Sequence, residues 1–485
     1  MKKEESLKAK TFSGLMWTFS EIVLNQGLQF IIQIVLARLL LPKEFGLIGI
    51  VTVFVAIANA IVDSGFTNAL IREENPTQKD YSTVFYFNLL VGIVLYVLLY
   101  LLSPIISDFF IQPQLTQLIR VLSIVLIVNA FSIVQRVVLN RNLNFKLLMI
   151  INIISSLISG GLAILLAFNG FGIWSLAIRI VALQVIQTVL LISFNRWIPT
   201  ITFSVESFKR LFGFGWKLLV SSIIDTTYNN LYYMIIGKIY TPTDLGYYTN
   251  AQKLRDVAVT SISNSIQKVT YPVLSKIQND ENILRESYRK VTKSAVYINF
   301  PIMLGLAVVG NKIIPILFGS DWAPSTPFFV ILCVSGMLYP LQALNLNILQ
   351  VKGRTDLFLK LEVAKKIISV ILIAIAVIIQ VGIIGLIWVM FINSVISFFI
   401  NSHYSKKIIN YSTWQQIKDI TPVFIVTFIS MGIVFFLGSF LYEPKIIFLI
   451  IEIISGIVIY IIFSYLFKLE SLFMILEIIK KIIKK

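Results

Sequence analysis

A chain of 485 residues that is 57% hydrophobic and only 13% charged falls far below the roughly 25% charge of soluble domains, so its composition excludes a water-soluble fold. Its net charge of +17 sits mainly in short breaks between apolar runs, as membrane topology requires, which excludes nucleic acid as the reason for the basic residues. One cysteine, Cys333, and one histidine, His403, exclude a disulfide framework, a zinc set and a Ser/His/Asp or Cys/His nucleophile.

About 20 apolar residues in helical form cross a bilayer, and backbone groups in lipid must be paired within the segment. The apolar runs predict an all-α integral membrane protein of about fourteen transmembrane helices. They fall near 12–40, 45–71, 82–103, 115–138, 146–168, 172–194, 212–239, 246–275, 291–309, 324–350, 357–380, 384–403, 419–441 and 445–466. The first run is too long for a signal-peptide core and lacks a small-residue cleavage site, so it is read as helix 1 of the mature chain. Lys and Arg gather in alternate loops, among them Arg72, Lys79, Arg136, Arg141, Arg196, Lys352 and Arg354. The opposite set holds only Lys43, Lys312 and Lys445, and this phase predicts that both termini are cytoplasmic.

In chain order, helix 1 carries Glu21, Asn25, Gln29 and Gln33 at four-residue spacing, which puts them on one face. Helix 2 adds Asn59 and Asp63, helix 4 Arg120 and helix 6 Arg179. Helix 7 repeats the stripe of helix 1 with Lys217, Ser221, Asp225, Asn229 and Tyr233, and helix 8 holds Lys253, Arg255, Asp256, Asn264 and Gln267. Ionised groups near the bilayer centre cost about 2.5–3.5 kcal/mol each, so these residues are expected to line a solvated cavity. The competing reading pairs Asp225 or Asp256 with Lys217, Lys253 or Arg255 and merely locks helices together. Basic residues outnumber acids in the set, which suits an anionic substrate such as a diphosphate. Arg120, Arg179, Lys253 and Arg255, with Lys217, are the candidate contacts. Tyr232 and Tyr233 are open between stacking on sugar rings and an interfacial belt, whereas Tyr247 and Tyr248 are expected in the belt.

Two lobes follow from an internal repeat. At an offset of 200, Leu41-Pro42-Lys43-Glu44-Phe45-Gly46 falls on Thr241-Pro242-Thr243-Asp244-Leu245-Gly246. At 213, Arg141 falls on Arg354 and Gly172 on Gly385. Six helices separate the copies, so the repeats are parallel and related by an axis along the membrane normal. The predicted organisation is an N-lobe at 1–196 (helices 1–6), a cytoplasmic linker at 197–211 and a C-lobe at 212–403 (helices 7–12). Helices 13 and 14 follow as an appendage at 404–467, then an amphipathic basic tail at 468–485 that lies on the membrane surface through Leu469, Leu472, Phe473 and Leu476.

The two turn motifs, with Asn140-Arg141-Asn142-Leu143-Asn144-Phe145-Lys146, Gly170-Phe171-Gly172-Ile173-Trp174-Ser175-Leu176 and the run from Leu245 to Leu254, resemble the Wzx-type oligosaccharide flippases. These belong to the multidrug, oligosaccharidyl-lipid and polysaccharide exporter superfamily, and the resemblance spans nearly the whole chain. It implies a non-enzymatic flippase of the bacterial cytoplasmic membrane that works by alternating access. Undecaprenyl-diphosphate-linked oligosaccharide repeat units would pass from the cytoplasmic to the outer leaflet, for capsule, O-antigen or exopolysaccharide synthesis. It also implies membrane lipids, a polysaccharide polymerase and a chain-length regulator as partners, with no nucleic acid. No P-loop occurs, so no ATP hydrolysis is expected, and no cofactor beyond a coupling Na+ or H+. Asp225 and Asp256 are the candidate ion-coupling residues, with Glu21 and Asp63 their first-half counterparts. Two rivals stand beside this reading: a small-molecule or multidrug cation antiporter of the same superfamily, and a membrane polysaccharide polymerase or glycosyltransferase. The cationic set and helices 13 and 14 count against the first, and the short outer loops against the second.

Overall fold

The computed structural model describes residues 24–440 and 445–483, with side chains throughout except at 260–269 and 478–483. Glu21 lies outside the described residues, and Asn264 and Gln267 outside the described side chains. The described chain is helical: α1 (24–39), α2 (Pro42–Asp63), α3 (Phe66–Arg72), α4 (Gln78–Phe110), α5 (Gln114–Leu122), α6 (Ile124–Arg141), α7 (Phe145–Phe168), α8 (Ile173–Asn195), α9 (Val205–Asn229) and α10 (Leu231–Ile239). Then come α11 (Pro242–Lys276), α12 (Glu281–Val308), α13 (Gly310–Phe318), a 3-10 turn (Ser320–Ser325), α14 (Thr326–Met337), α15 (Tyr339–Val351), α16 (Thr355–Ile378), α17 (Gly382–Ile409), α18 (Thr413–Ser439), α19 (Ile446–Leu466) and α20 (Glu470–Ile483).

Among the described residues ten helices or helix pairs are long and apolar enough to cross a membrane, so the protein is a multi-pass membrane protein. Predicted helices 7, 8 and 11 do not reach that apolarity because of their polar residues, such as Glu362, Lys365 and Lys366 in α16. Helix 2 is not continuous. Ser64 and Gly65 both take positive φ, 50° and 69°, directly after Asp63, and the chain breaks into α2 and α3. Helix 7 is interrupted at Asn230, between α9 and α10, one turn beyond Asp225.

Two compact units divide at Thr249/Asn250. In the first, α8 packs on α6 and α7, α4 packs on α6, and α9 and α10 lie against α2. Its core gathers Phe66, Leu70, Val84, Phe85, Val134, Val137 and Leu211, with the Phe208 and Phe212 rings stacked 5.3 Å apart beside them. In the second unit α12 is central, packing on α14 and α18, while α17 covers α15 and α16.

Helices 13 and 14 are integrated into that second unit. The Tyr460 hydroxyl donates to Tyr297 O at 2.9 Å, and Lys312 forms a buried ion pair with Glu452 while also donating to Gly438 O at 3.1 Å. Lys312 is therefore not an outer-loop cation, although loop counting places it there. The tail also departs from expectation: Leu469 and Leu472 are buried in the core of the unit, and Lys293 pairs with Glu470 at 2.7 Å. Phe473 and Leu476 stay exposed.

The repeat is visible as matching local chemistry. Leu41 N–H donates to Glu44 Oε2 at 2.8 Å and Thr241 N–H to Asp244 Oδ2 at 3.2 Å, so each acidic residue caps the helix that its proline begins. At the end of α6 Arg141 Nη1 donates to Leu70 O at 2.7 Å, closing the end of α3, and Lys352 donates to Gln278 O at 2.7 Å just past α11. Lys352, rather than Arg354, thus does in the second half what Arg141 does in the first, since Arg354 turns to Asp356 at 3.1 Å. The turn glycine of the second match likewise moves: Gly382, with φ of 74°, opens α17, and Gly385 lies one turn inside it.

Candidate transport site

Unit 1 contains two chains of hydrogen-bonded polar side chains within its apolar helices. The first joins helices 1, 5 and 6. Arg179 of α8 donates to Gln29 Oε1, Gln29 Nε2 donates to Ser156 Oγ at 3.0 Å, and Ser156 Oγ donates to Asn25 Oδ1 at 3.0 Å. Gln187 extends the same helix contact to Asn152. The stripe of helix 1 therefore meets the expected arginine of helix 6, with buried Gln33 further along the same face.

The second chain joins α2, α6 and α8. Asn129 Nδ2 donates to Asn59 Oδ1 at 3.0 Å, and Gln184 Nε2 donates to Asn129 Oδ1 and Ser132 Oγ, each at 3.3 Å. Arg136 Nη2 donates to the same two oxygens. Asp63 accepts from Thr67 of α3, across the break after its own helix end. Loop counting had placed Arg136 in a cytoplasmic loop, yet it is a residue of α6 turned into the bundle. Sequence reasoning missed this chain, although Asn129, Ser132 and Arg136 recur at one-face helical spacing.

Other candidates lie elsewhere. Arg120 donates through Nε to Ser103 Oγ at 3.0 Å and sits 4.4 Å over the Tyr100 ring, so it packs α5 on α4. Lys217, Ser221, Asp225 and Asn229 form an exposed strip on α9. Tyr232 and Tyr233 pack around Tyr248, at 6.2 Å and 5.6 Å between ring centroids. Tyr248 is only 1% exposed and is thus a core residue instead of an interfacial belt residue, while Tyr247 is half-buried.

In unit 2 Arg255 Nε lies 3.0 Å from Asp256 Oδ1, and Lys253 is exposed. A buried hub that the sequence did not reveal centres on Asn345, whose Oδ1 accepts from Tyr288 at 2.9 Å, Ser405 at 2.6 Å and Gln416 at 3.1 Å. Beside it Arg289 grips Asp419 through Nε and Nη2 at 2.8 Å and 2.9 Å. These groups satisfy one another and bind α12, α15, α17 and α18 together. Unit 2 also bears an apolar cleft of about 390 Å³ between α12, α18 and α19, lined by Pro301, Ile302, Met431, Ile457 and Ile461.

The profile of one family, described as polysaccharide biosynthesis protein, matches residues 35–327. The chain belongs to that family. The stretch takes in both turn motifs of this polysaccharide biosynthesis protein, together with Asn59, Asn129, Arg136, Arg179 and Gln184. It is 29% identical to the lipopolysaccharide biosynthesis protein WzxC of Escherichia coli (strain K12), over 88% of this chain and 89% of that one. It is 27% identical to the teichuronic acid biosynthesis protein TuaB of Bacillus subtilis (strain 168), over 89% of each. Its fold is that of the lipid II flippase MurJ in an inward closed conformation, with a TM-score of 0.75, 16% identity, and coverage of 94% of this chain and 98% of that one. An inward-facing multidrug resistance MATE family transporter follows at a TM-score of 0.60 and 16% identity, covering 80% and 96%.

Proposed function

We propose that this polysaccharide biosynthesis protein is a flippase that carries lipid-linked oligosaccharide repeat units from the cytoplasmic to the outer leaflet, without catalysing a reaction on them. The observation that carries the reading is the pair of polar chains ending on Arg179 and Arg136 between the apolar helices of unit 1. Arginine forks replace the water that a diphosphate loses on entering a membrane interior, and a cation substrate would be repelled by them. The names of WzxC as a lipopolysaccharide biosynthesis protein and of MurJ as a lipid II flippase support the same substrate class. In this reading both termini are cytoplasmic, the membrane is the bacterial inner membrane, and a polymerase with its chain-length regulator receives the product.

Coupling to a Na+ or H+ gradient fits the break in helix 7. Asp225, an exposed carboxylate of α9, lies five residues before that break at Asn230, and an ionisable group at a helix junction in the membrane is where a coupling cation would be held. Asp256, paired with Arg255, is the weaker coupling candidate.

The test is export in a strain lacking the gene, complemented by variants of matched expression. Arg179→Ala and Asp225→Asn are expected to cut surface polysaccharide at least about tenfold, the loss of one charge-assisted contact. Arg120→Ala should cost less, because Arg120 already serves Ser103 and Tyr100. Wild-type export from both Arg179→Ala and Asp225→Asn would sink the reading, and so would repeat units accumulating unpolymerised outside the membrane in the deletion strain.

A further inference from the structure

Unit 2 carries a second cleft, of about 630 Å³, along the outer face of α18. Trp414, Lys418 and Ile425 line one side of it, at spacings that keep them on one helix face, and Phe467 and Leu469 at the turn from α19 to α20 close the other. From Trp414 to Ile425 is about 16 Å along the axis, roughly half the hydrocarbon thickness of a bilayer and so the depth of one leaflet. α18 is long and apolar enough to cross a membrane, and Phe424, Ile425 and Phe428 are exposed along it, so lipid is the medium that fills this cleft.

The mouth of the cleft lies at a membrane boundary. α17 ends with Lys406 and Lys407, and Trp414, 74% exposed in the first turn of α18, holds the position of an interfacial anchor. Charge at this mouth does not balance. Asp419 is taken by Arg289 and Lys293 and accepts from the Tyr411 hydroxyl at 2.7 Å, while Glu470 pairs with Lys293 at 2.7 Å. Those two acids and two cations neutralise one another. Lys418, which lines the cleft, and Lys468, which stands between Phe467 and Leu469, are exposed and form no ion pair among the described residues. The backbone holds Lys468 at this place: its φ is 52°, its N–H donates to Tyr465 O at 3.1 Å, and Leu469 N–H donates to Ser464 O at 2.9 Å. Glycine adopts that left-handed backbone at least cost, so the turn itself does not need the lysine side chain.

We propose that this cleft binds an anionic glycerophospholipid of the surrounding membrane, with an acyl chain along α18 and its phosphate at Lys418 and Lys468. The apolar wall accounts for the chain and the two unbalanced lysines for the charge. A zwitterionic headgroup would bring its own ammonium against them, whereas phosphatidylglycerol brings a phosphate and neutral hydroxyls. The site shares no residue with the polar chains of unit 1, and it stands whether or not the chain is a flippase.

The test reads Trp414 directly. The full chain is reconstituted in phosphatidylcholine vesicles that hold an equal mole fraction of either phosphatidylglycerol or phosphatidylcholine brominated on the acyl chains. Quenching at Trp414 is the difference between wild type and Trp414→Phe. Brominated phosphatidylglycerol is expected to quench at lower mole fraction than brominated phosphatidylcholine. Lys418→Gln and Lys468→Gly should each lower that preference about fivefold, and together about thirtyfold. Where the double variant does not fold, Lys468→Gly carries the comparison, because glycine suits its backbone. Equal quenching by the two lipids in the wild type overturns the proposal, as does a preference of wild-type size in a folded variant. Trp414 shielded from both lipids until the protein is diluted assigns the cleft to a second copy of the chain and overturns the lipid site. Quenching relieved more by a polyprenyl diphosphate than by unbrominated phosphatidylglycerol assigns it to an isoprenoid chain, and overturns the phospholipid assignment as well.

Discussion

At Gly46 and Gly246 the space for a single hydrogen decides what is allowed. A Cβ at Gly46 would fall 1.7 Å from Pro242 O, and one at Gly246 would fall 1.9 Å from Pro42 O. Each glycine of the repeated motif thus receives the carbonyl of the other motif's proline, a reciprocal crossing that a methyl group cannot enter without forcing the turns apart. Gly46→Ala and Gly246→Ala are each expected to lower stability by about 1–3 kcal/mol, read as a fall in Tm in detergent. The double variant should lose less than the sum, because one displacement relieves both clashes. The alignment at offset 200 made the motif legible, since proline, acid and glycine recur in order. It did not show that the copies touch, because spacing along a chain says nothing about what lies opposite.

Among the elements, α19 shows how a helix that reads as featureless can be fixed by one side chain. It is apolar almost throughout, and its exposed isoleucines, among them Ile447, Ile450 and Ile454, face away from the protein. Glu452 is the exception, buried against Lys312 of α13, which also reaches the last turn of α18 at Gly438 O. A cation at a helix C-terminus and beside a carboxylate is favourable twice over, and so closes α18, α19 and α13 at one end of the unit. Removing one partner of a buried pair leaves a bare charge. Lys312→Ala is therefore expected to destabilise the protein by about 3–5 kcal/mol in chemical denaturation. Lys312→Met with Glu452→Leu should recover most of that loss, which a role in transport chemistry would not. In the sequence Lys312 looks like a loop lysine and Glu452 an isolated charge. Their separation of 140 residues hid the pairing.

For the whole molecule, the question is which hydrophilic faces meet water. Asn229 lies on the exposed strip of α9, whereas Asn25 hydrogen-bonds to Ser156 inside unit 1. Single cysteines at the two positions should therefore differ. Asn229→Cys is expected to react with a membrane-impermeant maleimide in inside-out vesicles, and Asn25→Cys to react several-fold more slowly. The native Cys333 is fully buried and should remain silent, so the wild-type chain serves as the blank. Equal labelling of the two positions would contradict the placement of helix 1 against helices 5 and 6.

What the sequence determined by itself was everything that follows from transfer of side chains between water and lipid. Apolar runs gave the helices, and the four-residue spacing of Asn25, Gln29 and Gln33 gave one polar face. Breaks inside helices were partly legible: Asp63-Ser64-Gly65 is a turn signal, whereas Asn229-Asn230 within an apolar stretch is a weak one. Only the tertiary structure decided which polar groups answer which. It joined Arg179 to the helix 1 stripe, sent Arg120 to Tyr100, and turned Arg136 inward from what sequence had counted as a loop. The physical reason is that burial energy depends on local composition, which a sequence contains. Hydrogen bonds and ion pairs depend on distances of a few ångströms between helices, which are fixed only when the helices pack.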